Sequence, residues 1–260
     1  MNVGIFDSGL GGLSVVREIS QRFKGLEIFY LADTAYAPYG DKSKEKILAR
    51  CIEITYSLIK KHKIDALVLA CNTATSVAIK ELRILFPSMI VIGCEPGLKP
   101  ATALSKSSKI GVLATSLTLK GQKYQDLEKQ LSLNKNVSFF EQACPGLVEK
   151  IEEGNISKTK DMLRKWLLPM KDKNVDTIVL GCTHYSLVSE IIKQIMQYKI
   201  TLIETSKALA NRLMELSLER GHLNEGLLTI KIFYTGKINI NMVNMIFEKQ
   251  EKMILGKYKI

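Results

Sequence analysis

The chain lacks any apolar run approaching the ~20 residues that cross a bilayer, and it has no low-complexity tract. Its first residues, Met1-Asn2-Val3-Gly4-Ile5-Phe6, have neither a basic n-region nor a long apolar stretch. That argues against a secretory leader, so a soluble, cytoplasmic protein is expected. Cysteine is sparse: Cys51, Cys71, Cys94, Cys144 and Cys182, odd in number and without a C-x-x-C pair or zinc spacing. A reducing compartment fits this usage, and no metal site is expected. Acidic residues are the minority, 26 against 37 Lys and Arg, for a formal net charge of +11. The excess is lysine scattered along helices, the pattern of solvated faces. No dense basic run interleaved with aromatics occurs, which argues against nucleic acid as a partner. A positive field would instead help to collect a small anionic substrate.

What the chain does have is one stretch written twice. Asp65-Ala66-Leu67-Val68-Leu69-Ala70-Cys71-Asn72-Thr73 is matched by Asp176-Thr177-Ile178-Val179-Leu180-Gly181-Cys182-Thr183-His184. Each apolar run is short and β-branched, as a buried parallel strand is. Open α/β sheets place their chemistry just past such strand ends. A single free cysteine is most often a small buried hydrophobe, and Cys51, Cys94 and Cys144 are read that way. The matched spacing and the polar followers set Cys71 and Cys182 apart, as two thiols facing one cleft.

The rest of the chain alternates strands and helices, which implies parallel sheets. Strand Asn2–Phe6 leads through Asp7-Ser8-Gly9-Leu10-Gly11-Gly12 into a helix; glycines here would let backbone N–H groups approach an anion. Asp7 is either that helix's N-cap or a site residue. The strand at Ile28–Leu31 empties into a loop, Ala32 to Ser43, dense in turn residues and tyrosines, the sort of loop that carries function. A helix follows from Ser43 to about Lys61. Lys109-Ile110-Gly111-Val112-Leu113-Ala114-Thr115-Ser116 repeats the opening strand, so with the cysteine copies the two halves match twice at similar offsets. Internal duplication is the economical reading. Length allows one large domain or two ordinary ones. Two pseudo-symmetric α/β domains with mainly parallel sheets are expected, 1–96 plus 208–260 and 97–207, with the site in the cleft between them. The tail should supply strand Thr229–Thr235 and a final amphipathic helix, Asn241–Ile254.

Two thiols across a cleft suit a disulfide switch or stereoinversion at carbon; a nucleophilic hydrolase would need only one. Stereoinversion requires an acid/base group on each face of a planar carbanion, and pseudo-two-fold symmetry supplies that geometry. Thiols near helix N-termini ionise more readily. Asp7 and His184 are candidate partners of the thiols, while Asn72, Thr73, Thr115 and Thr183 offer amide and hydroxyl groups for a small carboxylate.

These residues closely resemble the glutamate racemase family, within the cofactor-independent aspartate/glutamate racemases. The resemblance runs from about Val3 to Ala210. It rests on Gly4-Ile5-Phe6-Asp7-Ser8-Gly9-Leu10-Gly11-Gly12-Leu13-Ser14, Asp33-Thr34-Ala35 with Pro38-Tyr39-Gly40, Ala70-Cys71-Asn72-Thr73-Ala74 and Gly181-Cys182-Thr183-His184-Tyr185. It implies Cys71 and Cys182 as the two acid/base residues, assisted by Asp7 and His184. Substrate contacts are implied at Asp7, Ser8, Tyr39, Gly40, Asn72, Thr73, Thr183 and His184. Also implied are D-glutamate production for peptidoglycan, no pyridoxal phosphate or other cofactor, and a homodimer. The family's functional glutamate falls on Glu152, with Glu149 nearby as the other acidic candidate, and Glu204-Thr205 stands where many members have Asp-Ser. The alternatives are a racemase of another acidic amino acid and a binding protein acting on DNA gyrase; the latter would need neither thiol.

Overall fold

The computed structural model describes residues 1–197, 200–247 and 253–260. The chain is of the α/β class and forms two compact units, Met1–Cys94 with Ser206–Ile260, and Glu95–Thr205. In chain order the first unit begins with β1 (Asn2–Asp7), α1 (Leu13–Ser20), β2 (Glu27–Ala32), α2 (Lys44–His62), β3 (Ala66–Leu69), α3 (Asn72–Leu85) and β4 (Ile90–Gly93). The second holds α4 (Leu98–Leu104), β5 (Lys109–Ala114), α5 (Ser116–Leu119), α6 (Gln122–Lys135), β6 (Ser138–Ala143), α7 (Leu147–Glu152), α8 (Ile156–Asp172), β7 (Thr177–Gly181), α9 (Ser189–Met196) and β8 (Thr201–Ile203). The chain then returns to the first with α10 (Ser206–Glu219), β9 (Thr229–Tyr234), α11 (Ile240–Ile246) and β10 (Met253–Lys257).

Among the described residues every strand pairing is parallel. The first sheet runs β10-β9-β2-β1-β3-β4 and the second β6-β5-β7-β8. Within each unit the first four strands are laid down in the same spatial order, second-first-third-fourth. The strands carrying the cysteine copies, β3 and β7, therefore hold equivalent places beside β1 and β5. Both are buried along their whole length, which is why they read as continuous apolar runs and not as alternating ones. The longer amphipathic helices turn an apolar stripe inward, as α2 and α8 show. In α2, Ile47, Cys51, Ile54 and Leu58 are buried, Ser43 Oγ accepts the Lys46 N–H at the start, and Lys63 closes the end in a left-handed conformation.

Two expectations about elements are corrected. The final helix stops at Ile246; residues 248–252 lie outside the described residues, and 253–257 form a strand whose register on β9 runs from Met253↔Ile230 to Lys257↔Tyr234. An open sheet edge with unpaired backbone groups outweighs the helical spacing of a short apolar segment. Asp7 is also not the cap of α1. That position belongs to Gly12, with no side-chain cap.

Candidate active site

In the first unit, β1 and β3 are neighbours with Phe6 opposite Leu69, so Asp7 and the residues after β3 emerge together. Asp7 is fully buried. Its Oδ1 accepts the Ser8 hydroxyl at 3.2 Å, and the Cys71 thiol points at Ser8 Oγ at 3.9 Å. Thiol, hydroxyl and carboxylate thus lie in one row of polar contacts. Gly12 makes room for it: a Cβ there would stand 2.7 Å from both Asp7 Cβ and Oδ2. Cys71 is the N-cap of α3, and its sulfur accepts the Ala74 N–H at 3.4 Å. The positive end of a fourteen-residue helix favours an anionic sulfur at that place. Asn72 and Thr73 are buried in the first turn, and Asn72 Oδ1 is shielded from solvent without a hydrogen-bond partner. Such an oxygen is costly to leave unmet unless a ligand donor meets it.

In the second unit Cys182 follows β7 but does not open an α-helix. Thr183–Val188 is a 3-10 turn, and Cys182 makes no side-chain cap. Thr183, His184, Tyr185 and Val188 are β-branched or aromatic, poor helix formers, and Ser186 Oγ bonds back to the Thr183 carbonyl at 2.7 Å. The tight turn brings His184 Nδ1 to 3.8 Å from Cys182 Sγ, while Nε2 lies 2.7 Å from Glu152 Oε1 at the end of α7. Burial pulls the His184 pKa down, but hydrogen bonds to Cys182 and Glu152 and the charges behind them carry it well above the usual value. Of the two candidate glutamates, Glu152 is the one bonded to His184.

The remaining candidates are placed as follows. Tyr39 and Gly40 open a 3-10 turn, Tyr39–Asp41, after the cis Ala37-Pro38 peptide. The Tyr39 ring is buried and its hydroxyl donates to Asp33 Oδ2 at 2.8 Å. Thr115 caps α5, accepting the Thr118 N–H at 3.2 Å. Among the other cysteines, burial pushes the Cys144 thiol up to about 12, and burial followed by the Asp33 charge raises Cys51 further. The Cys94 thiol donates to the Ala70 carbonyl at 2.9 Å. All three are buried. Among the described residues no group of His, Cys, Asp and Glu is arranged to hold a metal, and no helix is long and apolar enough to cross a membrane. Asp33 lies in the motif Asp33-Thr34-Ala35 and in the turn-rich loop, whereas Arg50 and Thr235 carry no sequence signal of their own: nothing local marks a threonine 202 residues away.

Twin parallel sheets, each with a central strand that ends at a cysteine beside a titratable side chain, define the class. The chain belongs to the Asp/Glu/Hydantoin racemase family, whose profile matches residues 3–213. It is similar to the glutamate racemase of Aliarcobacter butzleri, with 58% identity over 252 residues, covering 96% of this chain and 97% of that one. The glutamate racemase of Sulfurovum sp. is 51% identical over 253 residues, covering 96% of each. Among solved structures, Escherichia coli glutamate racemase in complex with L-glutamate and activator UDP-MurNAc-ala superposes with a TM-score of 0.84 at 29% identity, covering 98% of this chain and 97% of that one.

Proposed function

We propose that this protein is a glutamate racemase that interconverts L- and D-glutamate by two-base proton transfer between Cys71 and Cys182, supplying D-glutamate for peptidoglycan synthesis. The observation that carries the mechanism is the pair of proton paths, Cys71–Ser8–Asp7 and Cys182–His184–Glu152. One thiolate removes the α-proton as the other thiol protonates the opposite face, so the two sulfurs exchange protonation states with each turnover. In the first unit, Ser8 and Asp7 take the thiol proton. In the second, His184 takes it on Nδ1 while Glu152 holds the Nε2–H and supports the imidazolium. Asn72 Oδ1 is suited to accept from the substrate ammonium. Asp7, Ser8, Thr73, Thr183 and the backbone at Tyr39-Gly40 are the other proposed substrate contacts, with Thr115 kept as a contact through its backbone because its hydroxyl caps α5.

The reading requires both thiols to reach one α-carbon, with 1–96 plus 208–260 and 97–207 acting as the two domains. It is completed by a homodimer in the cytoplasm that works without pyridoxal phosphate, and sedimentation velocity tests the dimer. Circular dichroism of either glutamate enantiomer incubated with the enzyme, no cofactor added, should show decay to a racemate. In D₂O, deuterium should appear early in product and not in recovered substrate. Near-normal turnover by Cys71→Ala or Cys182→Ala would exclude the two-thiol assignment.

A further inference from the structure

Asp33, just past β2, is a fully buried carboxylate outside both proton paths. It is met by four donors from three separate parts of the chain. Arg50 in α2 forks it, Nε to Oδ2 at 2.8 Å and Nη2 to Oδ1 at 2.7 Å. The Tyr39 hydroxyl takes Oδ2 at 2.8 Å, and the Thr235 hydroxyl takes Oδ1 at 2.9 Å. Thr235 does more than donate. Its Oγ1 accepts the Ala35 N–H at 3.0 Å, its own N–H bonds the Ala32 carbonyl at 3.1 Å, and the next residue, Gly236, donates to Thr34 Oγ1 at 3.0 Å. Backbones touch here: a Cβ on Gly236 would stand 2.7 Å from the Ala35 nitrogen. The segment after β9 is thus stitched to the loop that precedes the Tyr39–Asp41 turn, and that turn packs on α3, the helix capped by Cys71. Burial, then the Asp33 charge, keep the Tyr39 phenol protonated, so it stays a donor to Asp33.

We propose that Thr235, with Arg50, is a positioning residue: through the buried Asp33 carboxylate it holds the Tyr39–Gly40 turn in the place where that turn binds substrate. The inference rests on the racemase reading above. Losing one hydrogen bond to a buried carboxylate lets the turn sample other positions, and this weakens binding without touching the thiols. Thr235→Val removes the hydroxyl at constant shape. It should raise KM for both glutamate enantiomers by about tenfold or more, because the bond to the buried carboxylate and the one from the Ala35 N–H are both lost, and leave kcat within about twofold. Hydrogen–deuterium exchange in the peptide covering 33–42 should speed up, and Thr235→Ser should restore both. Arg50→Lys keeps the charge but loses the fork, and should move KM and exchange the same way; it carries the test where Thr235→Val does not fold. Unchanged KM in the folded variants, a loss confined to kcat, or a Thr235→Ser as impaired as Thr235→Val would overturn the proposal. A wild-type enzyme inactive on glutamate would refute the racemase reading instead, and unchanged loop exchange in the variants would then refute the clamp separately.

Discussion

His184 sits between a thiol and a carboxylate, and its two nitrogens do different work. The Glu152 carboxylate at 2.7 Å favours the imidazolium, so Glu152→Gln should lower the His184 titration midpoint, followed by imidazole ¹⁵N shifts. Stability follows the same sign. A histidine whose folded pKa is raised contributes fully below its unfolded value, about 6.5, and the contribution is lost as pH rises through the folded value. His184→Asn should therefore cost more in urea unfolding at pH 6 than at pH 9; an equal cost at both would mean that the charged form is not favoured in the native state. The other thiols offer a contrast. With Cys144 pushed up to about 12 and Cys51 raised by burial, iodoacetamide at pH 8 should modify Cys71 and Cys182 before either, as read by peptide mass mapping. Of this pairing, sequence named Cys182, His184 and Glu152 but left Glu149 open. Which glutamate meets the ring depends on how α7 lies against the 3-10 turn, over a separation of 32 residues.

At the level of elements, Cys71 is both a candidate acid/base and the cap of α3. A serine retains an oxygen for the Ala74 N–H, while alanine does not. Cys71→Ser should lose racemisation yet keep most of the stability, whereas Cys71→Ala should lose activity and also about 0.5–2 kcal/mol from the missing cap; thermal unfolding separates them. The strand before Cys182 carries a different constraint. A Cβ on Gly181 would stand 2.8 Å from Ala114 Cβ and 3.0 Å from the Leu113 carbonyl, because β7 and β5 are adjacent at that level. Gly181→Ala should cost about 1–3 kcal/mol, the usual scale of overpacking, and displace Cys182; unchanged urea midpoints and kcat would contradict this. The strands themselves were readable from their apolar runs. The 3-10 turn after Cys182 was not, since the repeat suggested that both copies feed α-helices.

For the molecule as a whole, the net charge of +11 bears on its anionic substrate. A positive field is screened over about 8 Å at physiological ionic strength. KM for glutamate should rise as salt goes from low to a few hundred millimolar, with kcat little changed; a flat KM would confine the attraction to contacts inside the site. Because free enantiomers have equal energy, kcat/KM must shift by the same factor in both directions.

The amino-acid sequence by itself determined the parallel α/β class, the duplication and the two cysteines, because short β-branched runs, helix stripes and caps are local signals within about a dozen residues. Asp7 and His184 were legible as candidate thiol partners, His184 because it lies two residues from Cys182 and Asp7 because it ends a strand expected beside the one carrying Cys71; the Ser8 hydroxyl between Cys71 and Asp7, 63 residues from that thiol, was not. The tertiary structure alone decided the rest. Parallel pairing of 253–257 on β9 overrode a helical spacing because it filled an open sheet edge. The Glu152–His184 bond and the meeting of Arg50, Tyr39 and Thr235 on Asp33 join segments whose closeness no local pattern encodes. A buried carboxylate must find its donors wherever the packed chain brings them, and only the folded chain says where that is.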